Sequence, residues 1–101
     1  MRRAAKVDDN HKEIVRALRQ AGCSVLDMSR VGSGAPDIAV GYQGRNYFLE
    51  IKDGGKPPSA CKLTQDQAKF HWEWGGQVAI VHDVKDAIMV INSAQRGLND
   101  S

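Results

Sequence analysis

Residues 36–52 read PDIAVGYQGRNYFLEIK, and the folding of this stretch decides how the rest of the chain must be arranged. Residues 36–40 predict a strand, and Gly41-Tyr42-Gln43-Gly44 predicts a hairpin turn. Residues 46–52 predict the returning strand, because Tyr47, Phe48, Leu49 and Ile51 are strong strand formers. Side chains alternate across a strand, so Glu50 and Lys52 share one face while Ile51 takes the other. Asp37 stands at the start of the partner strand. The hairpin therefore gathers two carboxylates and an ammonium at one of its ends.

Working outward towards the N-terminus, Gly32-Ser33-Gly34 forms a turn and residues 23–28 suit a short strand. Before that strand, Ile14, Val15, Leu18 and Ala21 recur at helical spacing, with Asp8, Asp9 or Asn10 as the cap and Gly22 as the stop. Lys12, Arg16 and Arg19 fall on the opposite face of that helix. Towards the C-terminus, residues 53–62 hold two glycines, two prolines and two lysines and predict a mobile loop. Thr64 caps a second helix that ends at Gly75-Gly76, with Leu63, Gln67, Phe70 and Trp74 along one face. The apolar run Val78-Ala79-Ile80-Val81 predicts a strand covered on both sides. Asp83 caps a last helix with Val84, Ala87, Ile88 and Ile91 inward, and the tail from Gly97 is expected to fray. The order αβββαβα implies an α/β fold with a small mixed sheet flanked by helices, in one domain over residues 1–101.

With 101 residues and 42% apolar content the chain can fill one core, and a second copy would add stability and binding surface. A homodimer is therefore expected. The formal charge of +2 and a pI near 8.7 permit an anionic partner without requiring one. No apolar run approaches the ~20 residues of a membrane span, and residues 1–6 lack the apolar stretch of a signal peptide. A soluble, cytoplasmic protein is expected. Cys23 and Cys61 lie in no metal or redox spacing and read as reduced, with Cys23 in the core. His11, His71 and His82 show no metal-ligand spacing. Trp72 and Trp74 read as packing or dimer-interface residues rather than base-stacking platforms.

Two close carboxylates repel and lose hydration when partly buried, an arrangement that a divalent cation would relieve. Mg²⁺ suits such a site, because it takes hard oxygen ligands, keeps several waters and accepts substrate phosphate oxygens as further ligands; Mn²⁺ is the expected substitute. Taken alone, Glu50-x-Lys52 reads as a solvated strand face and Asp37 as a turn residue. The aromatic strand, the Gly-Ala-Pro-Asp turn before it and the basic loop after it favour the metal reading. Gln67 is the single polar member of an apolar helical stripe, and a buried amide needs partners. Arg30, Arg45, Lys56 and Lys62 would either contact phosphates around the site or serve as solubilising charges.

The sequence resembles the PD-(D/E)XK nuclease superfamily through Pro36-Asp37 and Glu50-Ile51-Lys52. Within it the chain is most similar to the small VRR-NUC domains. Ser33-Gly34-Ala35-Pro36-Asp37, Glu50-Ile51-Lys52 and Leu63-Thr64-Gln65-Asp66-Gln67 match three motifs in their order, over residues 13–81. The resemblance implies a restriction-endonuclease-like αβββαβ core and metal-dependent cleavage of DNA. It implies Asp37, Glu50 and the Ile51 carbonyl as metal ligands and Lys52 as the catalytic lysine. Glu13 on the first helix becomes the candidate for a further acidic ligand, against an ordinary exposed glutamate. Gln67 is placed at the active site beside Lys52 or a phosphate, and His71, one turn on, could face DNA. The resemblance further implies a dimer acting on branched DNA such as four-way junctions or flaps, of a type found in phages and bacteria. The alternatives are a non-catalytic nucleic-acid-binding module that retains the fold, or an unrelated α/β domain with a chance match.

Overall fold

The computed structural model describes residues 9–99; the capping alternative at Asp8 and residues 1–6 lie outside that range. Its elements are α1 (Asp9–Gln20), β1 (Ser24–Asp27), β2 (Ile38–Tyr42), β3 (Arg45–Ile51), α2 (Gln65–Glu73), β4 (Val78–Val81) and α3 (Val84–Asn99). The order αβββαβα is the one read from the sequence. Among the described residues no helix is long and apolar enough to cross a membrane.

The four strands form one sheet in the order β1-β2-β3-β4. The first three are antiparallel neighbours, and β4 returns parallel to β3 after α2 has crossed over. The β2–β3 turn is tighter than the four residues expected. Only Gln43 and Gly44 stand outside the ladder, at φ 50° and 82°, while Gly41 and Tyr42 are paired residues of β2. Both turn residues are left-handed, the geometry of a two-residue hairpin whose twist matches its strands.

One face of the sheet makes the core. Ile38, Val40, Tyr47, Leu49, Ile51 and Val81 are buried there against Ile14 and Leu18 of α1 and Ala87 and Ile91 of α3. The Tyr47 hydroxyl donates to the Ile91 carbonyl at 3.3 Å, which satisfies the polar tip of an otherwise apolar ring. Cys23 is buried in the same cluster, and Cys23 and Cys61 are both free thiols. α1 terminates as expected at Gly22, where the Cys23 N–H reaches the Leu18 carbonyl and the Gly22 N–H the Arg19 carbonyl. Asp83 caps α3 by accepting from the Asp86 N–H at 2.8 Å.

One expectation needs correction, and two segments expected to fray or move carry helical structure. β4 is covered fully on one side only: Val81 is fully buried, but Ile80 on the other face is 37% exposed. α3 runs on through Gly97 to Asn99 where fraying was expected. The loop at residues 53–62 contains a 3₁₀ turn, Pro58–Cys61, and the Cys61 thiol donates to the Asp53 carbonyl at 3.1 Å.

Candidate active site

The second face of the sheet carries the charged residues. Ile38 pairs with Leu49, so Asp37, one residue earlier, lies across from Glu50. The Asp37 carboxylate accepts the Ile51 backbone N–H at 2.7 Å, which fixes its position at the end of β3. The N–H and C=O of one strand residue point the same way, so the Ile51 carbonyl also faces the Asp37 side. Lys52 follows directly, and its own N–H is held by the Val81 carbonyl at 3.0 Å.

Glu50 is only 2% exposed, the one buried charged residue among those described. Its Oε2 accepts from the Gln67 side-chain amide at 3.2 Å and lies 3.7 Å from the Lys52 ammonium. Its Oε1 is buried with no donor. Burial, and next the Asp37 charge, push the Glu50 carboxyl up to about 7, with Lys52 opposing them. Asp37 is close enough to share a hydrogen bond with Glu50 when one of the two is protonated. With both ionised, Oε1 faces repulsion and no partner.

Gln67 ties the cluster together. Its carbonyl oxygen accepts from the Lys52 ammonium at 3.0 Å and from the Thr64 N–H at 2.9 Å, while its own backbone N–H donates to the Thr64 hydroxyl at 3.2 Å. The same side chain therefore closes the capping box of α2 and bridges Lys52 to Glu50. His71, one turn later, is half-buried with its Nε2 unpartnered, and burial followed by the Lys52 charge lowers its pKa. Beyond His71, Phe70 and Trp74 stack at 5.1 Å and close on Phe48, which holds α2 against β3. Trp74 is thus a packing residue, whereas Trp72 is 89% exposed.

Other expected site residues do not join this group. Glu13 is exposed on α1, and among the described residues no three His, Cys, Asp or Glu side chains converge as a metal cluster. The α1 side chain that reaches the strand end is Asn10. It lies within the helix rather than capping it, and its amide donates to the His82 carbonyl at 3.0 Å and the Lys52 carbonyl at 3.4 Å. Sequence reasoning missed this contact, since nothing local distinguishes Asn10 from a cap. Arg45 sits at the hairpin end of β3, roughly 17 Å from Glu50 at the usual rise per residue, so it is no part of a rim around the carboxylates. Arg30 is exposed beyond β1, near Asp27. Lys56 and Lys62 lie in the exposed loop that follows Lys52.

The Asp37 turn is set by packing. Gly34 adopts φ +81°, and a Cβ there would run into the backbone carbonyl of Asp66 in the first turn of α2. The turn that carries Asp37 thus rests directly on the helix whose Gln67 holds Glu50 and Lys52.

The fold has a counterpart among solved structures. A solved structure described as a VRR_NUC domain superimposes with a TM-score of 0.57 at 23% identity, covering 82% of this chain and 95% of that one. The likeness is one of fold. No family model matches the sequence, and no curated protein does.

Proposed function

We propose that the chain is a metal-dependent DNA nuclease that hydrolyses phosphodiester bonds at Asp37, Glu50 and Lys52. The observation that carries this reading is the buried, unpartnered Oε1 of Glu50 beside a second carboxylate and a lysine held by Gln67. The described fold of the VRR_NUC domain supports it.

The donor set fits a hard divalent cation: two carboxylates, one with an orphaned oxygen, and a backbone carbonyl at Ile51 on the same side. Asp37, Glu50 and the Ile51 carbonyl would hold Mg²⁺. When bound, the cation supplies Lewis-acid polarisation of water and phosphate oxygen. The remaining chemistry belongs to the chain. Lys52 presents its ammonium to the charge that develops on the phosphate, and Gln67 keeps that ammonium from collapsing onto Glu50. An ammonium cannot ligate a metal, so Lys52 and the carboxylates have separable roles. The reading extends to branched DNA and to a pair of identical chains, which the matched motif order supports.

The test is single-turnover cleavage of duplex and four-way-junction DNA with Mg²⁺ and Mn²⁺, run beside calorimetric Mn²⁺ titration. Glu50→Gln keeps the side-chain volume and removes a ligand charge, so it should lose both cleavage and tight metal binding while remaining folded. Lys52→Ala should lose cleavage and keep measurable metal binding. Cleavage by either variant within a few-fold of the parent would refute the assigned roles. Cleavage confined to the four-way junction supports the branched-DNA extension, and equal cleavage of plain duplex removes it.

A further inference from the structure

α1 and β1 enclose a cleft of about 640 Å³ whose wall is cationic. His11, Lys12, Arg16 and Arg19 line it over a floor of Val15 and Val25. The Arg19 guanidinium is anchored at the rim by donating to the Val25 carbonyl at 3.2 Å. Lys12 and Arg16 are exposed, and neither has an ion-pair partner among the described residues. The cleft holds one acid, Asp27, whose pKa is kept low by hydrogen bonds from the Ser29 side chain and from the Ser29 N–H, the latter at 2.8 Å.

Helix stability accounts for Arg19, a cation in the last turn of α1, but not for Lys12 and Arg16. Lys12 stands in the first turn of α1, where the helix dipole disfavours a cation, and one turn from Arg16, a like-charge pair that repels. A cleft with uncompensated positive walls concentrates potential and attracts a polyanion. Its position indicates which one. Asn10, next to His11, bonds the Lys52 carbonyl, and Asp27 pairs with Ile38, the neighbour of Asp37. One end of the cleft therefore opens at the sheet end that carries the carboxylates, but the cleft lies on the α1 side of the sheet and they lie on the α2 side.

We propose that the cleft between α1 and β1 is a second nucleic-acid site, which grips the sugar-phosphate backbone of a stretch of substrate other than the one at Asp37 and Glu50. The proposal rests on the nucleic-acid reading above. Lys12, Arg16 and Arg19 meet successive phosphates, and the apolar floor lies under the sugars. Backbone contacts of this kind add affinity and orient the strand without reading bases.

The test measures binding of a fluorescent DNA duplex over a series of salt concentrations, in chelator so that nothing is cut. The parent is compared with Lys12→Ser/Arg16→Ser and with Lys85→Ser/Ser93→Asp, a control that lowers net charge equally on the exposed side of α3. Losing two phosphate contacts should shrink the slope of log affinity against log salt by about 1.8 and weaken binding roughly tenfold at low salt. The control should change the slope by much less. Melting curves of Lys12→Ser/Arg16→Ser should stay close to the parent's, because relief of the repulsive pair offsets the lower helix propensity of serine. An unchanged slope, or an equal change in the control, overturns the proposal. The binding readout is independent of catalysis: a chain that cuts no DNA but shows the reduced slope retains this site and loses the proposed nuclease activity.

Discussion

At Glu50 three forces meet: loss of water, repulsion from Asp37 and attraction to Lys52. The first two win, and the consequence for stability has a definite sign. The unfolded carboxyl titrates near 4.5 and the folded one near 7, so between those values the native state binds more protons than the unfolded state. Stability should therefore fall as pH rises through that window and stay low above it, by on the order of 3 kcal/mol in the absence of metal. Urea unfolding in chelator from pH 4.5 to 8 should show this decline in the parent and a flatter profile in Glu50→Gln, which has no charge to bury. Parallel profiles would mean that Glu50 does not titrate in this way. Divalent metal should raise the parent's melting temperature most at pH 7 and above, because a ligand that binds only the folded state stabilises it.

Among the elements, α2 has the largest consequence for the site, although it is short and has no fully buried residue. It meets the Asp37 turn through the Gly34–Asp66 contact and the β3 carboxylate and ammonium through Gln67. Gly34→Ala should cost more stability than Gly44→Ala. Both glycines have φ near +80°, but a Cβ at Gly44 meets nothing within 4 Å, whereas one at Gly34 meets the Asp66 backbone. The strain alone is worth about 1 kcal/mol or more, and the difference in unfolding free energy between the two variants reads the packing contact. Cleavage should fall in Gly34→Ala and be unchanged in Gly44→Ala; an equal drop in both would break the link between the turn and α2. Thr64→Ala should cost about 1 kcal/mol as a lost cap. Its single-turnover rate should fall less than that of Gln67→Leu, which also releases Lys52.

For the whole molecule, the fold leaves apolar surface uncovered on the α2 side of the sheet. Leu26 is 64% exposed, and a groove runs past it between Ala39, Phe48 and Trp74. A chain of 11.1 kDa that leaves this much apolar surface in water is expected to associate with a second copy. Sedimentation at micromolar concentration should give about twice the chain mass. A single-chain mass both with and without DNA would count against the pair.

The motif residues and the element order were legible in the sequence because they depend on local chemistry. Alternation alone put Glu50 and Lys52 on one face, the Gln43-Gly44 turn returned β3 alongside β2, and the polar interruption at Gln67 marked a half-buried, fully bonded amide. The Thr64 cap and the Gly22 stop were legible for the same reason, since each concerns bonds within a few residues. What the tertiary structure decided was which distant groups meet. That Asn10 rather than Glu13 reaches the end of β3 follows from the rotation of α1 about its axis, through contacts 42 and 72 residues apart. That Arg45 stands far from the carboxylates follows from the direction of β3, and that Ile80 keeps partial exposure while Val81 is fully buried is decided by which elements pack on each face of β4. An apolar pattern states that a face is buried, but the angle and length of the element covering it come from packing the whole core.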